Sequence, residues 1–167
     1  MMSKEEALRL IENSSKCSHS LLVAEVMAEL AKVLGENEEE WRLVGLLHDL
    51  DCDLTKNDLS KHGIVAAERL KEKLPEDCLY AIKAHDYRTG FKPRSKLDKA
   101  LIAVDSLASL LKDMAKKREE LSVKEFGHLS AHKPWIKRNV LECEKMGLKL
   151  EEFLELCLKS VRKIFCE

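Results

Sequence analysis

Apolar residues recur at three- and four-residue intervals along nearly the whole chain, and no segment alternates apolar and polar positions convincingly with the period of two that a half-buried strand requires. The pattern predicts an all-α fold of about eight or nine helices. Its helix starts are marked by a Ser or Asn followed three residues later by an acid: Ser3 with Glu6, Asn37 with Glu40, Ser95 with Asp98 and Ser122 with Glu125. Gly35 reads as a helix stop, Pro75 as a first-turn residue and Pro93 as part of the polar turn RTGFKPRS. The last predicted helix, from about Leu150 to Phe165, sets Leu150, Phe153, Leu154, Cys157, Leu158 and Val161 on one face, a stripe that reads as core. The run KKREEL from Lys116 to Leu121 is the best internal boundary. It separates residues 1–115 from a C-terminal helical portion, 116–167, expected to pack on the same domain.

Three polar residues break this scheme from inside. In the helix that begins near Asn37, Trp41, Val44 and His48 share the apolar face, and Asp49 follows at the helix end. A helix expected from about Lys96 to Leu111 carries Asp105 on its apolar side, between Leu101 and Ala108. Burying an unpaired carboxylate costs several kcal/mol, on the order of a large fraction of a domain's stability, so each needs a compensating charge or donors. Histidines recur in the same way. Cys78, Ala81, Ile82 and His85 share a face, His19 opens the helix of Leu22, Val26 and Leu30, and His62 precedes Ala66 and Leu70. One such histidine is ordinarily a hydrogen-bonded core residue, but several converging on buried acids share one economical explanation. Imidazole and carboxylate are ligands for divalent metals, and a cation offsets the burial of both acids. His19, His48, Asp49, His62, His85 and Asp105 are therefore the candidate metal ligands. His128 and His132, in the polar segment FGHLSAHKPW, read as surface residues.

Composition adds exclusions. With 29 basic and 30 acidic residues among 167, no strong field of either sign draws in nucleic acid or an anionic membrane. The six cysteines, Cys17, Cys52, Cys78, Cys143, Cys157 and Cys166, form no CxxC pair, and the N-terminus lacks the apolar stretch of a signal peptide. Together these features suggest reduced thiols, a cytoplasmic location and no membrane association.

The ordered set His19, His48-Asp49 and Asp105 resembles the H…HD…D signature of the HD superfamily of metal-dependent phosphohydrolases. The segments KHGIVAAERL and AIKAHD add histidines in the manner of its HDIG-type branch. The likeness covers about Cys17 to Leu111, and the stretch beyond it resembles the C-terminal helices of small HD hydrolases. It implies an HD-domain helical bundle with a C-terminal helical extension, holding one or two divalent transition metals (Mn, Fe, Co, Ni or Zn). In a mononuclear site the ligands are His19, His48, Asp49 and Asp105; in a dinuclear site Asp49 bridges to a second ion held by His62 and His85. Two departures stand out: Leu50-Asp51 replaces the Ile-Gly that follows HD in that branch, and His85-Asp86 replaces a His-His doublet.

The chemistry implied is metal-assisted hydrolysis of a small phosphoester such as a nucleotide. Asp49 stands at its centre, and Asp51, Asp53 and Asp86 are the candidate proton-relaying acids. Lys56 and Lys61, between Asp49 and His62, and Arg88, Lys92 and Arg94, in the turn after His85, are candidate phosphate-binding cations. The expected partner is a small phosphorylated substrate, with nucleic acid disfavoured and oligomeric state open. A non-catalytic regulatory or ligand-sensing module with a structural metal is the alternative, and a metal-free helical interaction domain is a third.

Overall fold

The computed structural model describes residues 2–117 and 121–165, apart from the side chains of residues 109, 112–117 and 165. Among the described residues there are nine α-helices and no strand. They are α1 (Lys4–Ile11), α2 (Cys17–Leu34), α3 (Glu38–Leu47), α4 (Ile64–Leu70), α5 (Glu76–Ala84), α6 (Lys96–Lys117), α7 (Val123–Leu129), α8 (Pro134–Val140) and α9 (Leu150–Phe165). Short 3-10 segments occupy Leu59–Lys61, Tyr87–Thr89 and Leu141–Met146.

The caps follow the sequence closely. Ser3 with Glu6 and Ser122 with Glu125 form reciprocal boxes, and Ser95 and Asp98 exchange equivalent bonds of 3.0 and 3.1 Å. Asn37 caps α3 alone, its Oδ1 accepting from the amides of both Glu39 and Glu40. Helix α6 runs six residues past the expected end at Leu111, because KDMAKK contains no breaker and good helix formers carry it on. The KKREEL boundary thus falls partly on the end of α6, and its Arg118–Glu120 lie outside the described residues.

Helices α2 and α6 form the centre. Leu22, Val23, Val26, Met27 and Leu30 of α2 and Leu101, Val104, Leu107 and Leu111 of α6 are buried, and the two helices pack on each other. Helix α3 lies along α2, α5 packs on α3 and α6, and α9 covers both central helices with the predicted stripe of Phe153, Leu154, Cys157, Leu158 and Val161. Helix α8 and the 141–146 segment rest on α6. Phe126, Ile136, Val140, Phe153 and Val161 belong to the same buried apolar cluster as Leu22, Val44 and Leu101. Cys78, Cys143 and Cys157 fill this core as free thiols, Cys17 and Cys52 are partly exposed and free, and Cys166 lies outside the described residues. No helix of the described residues is long and apolar enough to cross a membrane.

The α2/α3 contact sets the position of the site. A Cβ on Gly45 would lie 2.6 Å from Ala24 Cα, so only glycine lets the two helices approach this closely. That approach brings His48, one turn after Gly45, alongside His19 of α2, with ring centroids 5.3 Å apart.

Candidate metal centre and its cavity

Four histidines sit at or near helix ends, and Asp105 does not. His19 is in the first turn of α2, His48 ends α3, His62 precedes α4, His85 ends α5, and Asp105 projects from the middle of α6. These elements meet: the four predicted histidines surround Asp49, and Asp105 joins through His19 and His48. One oxygen of Asp49, Oδ2, faces His48 Nε2 at 3.5 Å and His19 Nε2 at 3.7 Å. Its other oxygen, Oδ1, faces His62 Nε2 at 2.9 Å and His85 Nε2 at 3.7 Å. Asp105 Oδ1 closes the first group at 2.8 Å from His19 and 3.6 Å from His48, and the His62 and His85 Nε2 atoms lie 3.2 Å apart in the second.

Local bonds aim the imidazoles. His48 Nδ1 donates to the Gly45 carbonyl at 2.8 Å and His85 Nδ1 to the Ile82 carbonyl at 2.6 Å, so each presents an Nε2 lone pair to the centre. His62 is held from behind by Asp51, whose Oδ1 lies 2.9 Å from its Nδ1. Asp51 is fully buried, and its other oxygen accepts from the Gly63 and Ala66 amides, both at 2.8 Å. Gly63 has φ 82, and a Cβ there would lie 2.4 Å from the Ile82 carbonyl oxygen, so glycine is needed to seat the His62 turn against α5.

The electrostatics expose what such a cluster lacks. Burial works against the charge on Asp49, but His48, His62 and His85 outweigh it and hold the carboxyl below the usual range. Asp105 is likewise depressed, its partial burial outweighed by His19 and His48. Burial disfavours a charged His62, yet its bonds to Asp49 and Asp51 raise it to about 10. In the metal-free chain, then, imidazolium supplies the positive charge that the acids need. Even so, His48 Nε2 is buried with no hydrogen-bond partner. A cation answers this orphan. Four ligands about 2.0–2.2 Å from a tetrahedral ion stand roughly 3.3–3.6 Å from one another, close to the 3.5–3.7 Å separations that His48 and His19 make with Asp49 and His48 with Asp105. The donor set therefore fits a divalent metal, with His19, His48 and Asp105 as one group of convergent ligand atoms and His48, Asp49 and His85 as another.

The remaining predicted site residues are distributed differently. Asp86 is buried at the cavity wall, where Arg88 grips it through Nε, Nη2 and its own amide. Burial works against the charged form of Asp86, but Arg88 keeps its pKa low. Asp53 is exposed, bonded to Lys56 and Ser15, and depressed to about 2 by those bonds. Lys56 and Lys61 pair with Asp53 and Asp58 at the surface, and neither lines the cavity. Arg94 stacks on Tyr80, 3.2 Å from the ring centroid, and the Lys92 carbonyl accepts the Tyr80 hydroxyl. Of the five predicted phosphate-binding cations only Arg88 lines the main cavity. His128 and His132 are exposed.

That cavity, about 810 Å³, has His19, Asp49, His62, His85 and Asp105 as its floor. Its rim includes residues that the sequence did not single out: Lys16 before α2, Ser106 beside Asp105, and Lys133, Trp135, Arg138 and Asn139 at α8. The sequence signal for these was the basic and aromatic run HKPWIKR, which periodicity alone assigns to a surface.

Over 113 residues the chain is 31% identical to "Ribonuclease Y" of Oleidesulfovibrio alaskensis, a match covering 62% of this chain and 21% of that protein. It therefore spans about a fifth of the length of that curated relative. No solved structure matches it. The model of the HD domain matches residues 17–131, a span containing all six candidate ligands, and the chain belongs to that family, within a superfamily of metal-dependent phosphohydrolases.

Proposed function

We propose that this chain is a metal-dependent phosphohydrolase acting on small phosphoesters, nucleotides or related phosphate esters among them. In this reading His19, His48, Asp49 and Asp105 hold one divalent cation, and His62 and His85 hold a second through a shared Asp49. The observation that supports it best is the division of Asp49, whose two oxygens face two separate groups of imidazoles. A transition metal bound there supplies Lewis acidity toward a phosphoryl oxygen and lowers the pKa of a coordinated water toward neutrality.

The chain's own residues do the rest. The Gly45 and Ile82 carbonyls fix the tautomers of His48 and His85, and Asp51 fixes His62, so the donors are positioned before any ligand arrives. Asp51 acts as a positioning residue, because both its oxygens are engaged and its side chain is sealed from the cavity. Asp86 holds Arg88 at the mouth, where the guanidinium faces an incoming phosphate. His19 and Asp105 are the partly exposed members of the floor, so the site opens toward the cavity as a catalytic metal centre requires, whereas a structural site is enclosed.

The test is metal analysis of the purified protein with a turnover panel: p-nitrophenyl phosphate, bis(p-nitrophenyl) phosphate, nucleoside monophosphates, and a short RNA, because the chain is similar to a protein named as a ribonuclease. Phosphoester hydrolysis that is lost on chelation and restored by Mn, Fe, Co, Ni or Zn is expected. A fully metal-loaded protein that turns over nothing on the panel favours the ligand-sensing module instead.

A further inference from the structure

Half of the cavity's rim comes from a part of the chain beyond the HD match, which ends at residue 131. Pro134 occupies the first turn of α8, and Ile136 and Val140, four residues apart, are buried as the helix packs on α6. Packing that face turns Trp135, Arg138 and Asn139, spaced at three and four residues, onto the cavity side. The register of α8 is fixed beside the metal ligands: Asn139 Nδ2 donates to Ser106 Oγ at 2.9 Å, one residue from Asp105. Trp135 is half exposed, a large ring left at the mouth of the cavity.

The charges of this rim are unbalanced. Lys16, Lys133 and Arg138 line the cavity and have no carboxylate partner among the described residues, whereas Lys56, Lys61, Lys71 and Lys145 are each paired with an acid. Arg88 is the one rim cation with an acid of its own, Asp86. Three cations without counter-charge, facing a floor whose acids are already matched by imidazoles, call for an anion supplied from outside. A volume of about 810 Å³ also exceeds what one phosphate fills and lies within the range of sites that enclose whole small molecules. A second cavity, about 540 Å³, adjoins it, sharing His85, Tyr87, Arg138 and Asn139 and walled by Phe91, Pro93 and Ile102. Arg138 thus stands where the polar cavity meets an apolar one.

We propose that α8 is the substrate-selecting element: Lys133 and Arg138 bind a second anionic group, set apart from the phosphate on the metal floor, with the organic part of the substrate lying between them. The preferred ligand class is a doubly phosphorylated small molecule rather than a simple monoester. This rests on the reading of the floor as the phosphoryl site.

The test is titration calorimetry on the metal-loaded full chain with two ligands that differ only in a second phosphate, adenosine 5′-monophosphate and adenosine 3′,5′-bisphosphate. The wild type should bind the bisphosphate about tenfold more tightly, the gain expected from one charge-assisted contact. In Lys133→Ala/Arg138→Ala that preference should collapse to about twofold or less while monophosphate affinity changes by less than about threefold; Arg138→Lys, which keeps the charge, should retain part of it. Equal affinity of the wild type for the two ligands, no binding of either, or a uniform loss of both in the double variant with an unchanged melting temperature overturns the proposal. Absence of turnover on every ester, with the bisphosphate preference intact, removes the hydrolase reading and keeps this one, because the readout is binding.

Discussion

On the floor of the cavity every charge is held by another. Asp49 faces four imidazoles, Asp105 two, and Asp51 accepts two backbone amides at Oδ2 while its Oδ1 stands 2.9 Å from His62 Nδ1. On the rim, Lys16, Lys133 and Arg138 stand without a carboxylate partner among the described residues. The difference follows from solvent. A buried carboxylate left unmatched is costly, so the fold has to assemble partners around it, whereas an exposed ammonium or guanidinium is solvated and can be left for a ligand to neutralise. The floor is therefore preorganised and the rim is adaptable, a division suited to holding a metal in fixed geometry and selecting substrate beside it.

The most severe way to break the floor is Asp49→Ala. It removes the carboxylate whose two oxygens face the two sets of imidazoles, and it should lower metal-dependent phosphate release by at least about 10³-fold, with helix content by circular dichroism largely retained. Turnover within tenfold of wild type would show that Asp49 is not central. A finer cut is Asp51→Asn, which keeps the shape and weakens the orientation of His62. The position formed by His62 and His85 should lose about 10–100-fold in metal affinity, measured by competition with a chelator, while the His19, His48 and Asp105 position holds. Equal loss at both would mean that Asp51 supports the fold rather than one ligand.

Gly45→Ala probes the helix contact beneath the floor. The added methyl meets Ala24 backbone at 2.6 Å, and α3 must move away from α2 at a cost of about 1–3 kcal/mol, visible as a lower melting temperature together with weaker metal binding. An unchanged melting temperature would show that the contact has slack.

Protons report on the same region. His62, raised to about 10 in the metal-free chain, is protonated at pH 7, and a cation on its Nε2 has to displace that proton. Calorimetry of metal binding in buffers of differing ionisation enthalpy should therefore show proton release. The sign for stability runs the other way from a carboxylate: because the folded pKa lies above the unfolded one of about 6.5, the contribution of His62 is complete below about 6.5 and is lost as pH rises through about 10. Metal-free protein should lose melting temperature over that window and metal-loaded protein should not, since its His62 is already neutral. The smallest effect is on the paired lysines. Lys61→Ala, which removes a surface cation bound to Asp58, should change phosphate affinity by less than about twofold, in contrast to the α8 cations.

How much of this was legible beforehand follows the same division. The helix caps at Ser3, Ser95 and Ser122, the core stripe of α9 and the apolar faces ending in His48 and His85 are local patterns, readable because a helix repeats every 3.6 residues whatever surrounds it. That His19, His48, Asp49, His62, His85 and Asp105 would be drawn together was suggested by the sequence too, since a polar residue on an apolar face is an anomaly that it displays directly. Asp51 was noticed as an acid near the site, but its work in holding His62 depends on a turn between α3 and α4 that periodicity does not describe. The rim was not readable. Lys56 and Arg94 are as basic as Lys133 and Arg138, and all are acceptable on a surface, so nothing local distinguishes a lysine paired with Asp53 or an arginine stacked on Tyr80 from one that faces the cavity. Sequence alone thus determined the helices and marked the polar residues on their apolar faces, because burial penalises the wrong residue at each such position by itself. Which exposed cations surround the site was decided only when α8 packed Ile136 and Val140 on α6, for exposed charges are placed by the helices that carry them and by no constraint of their own.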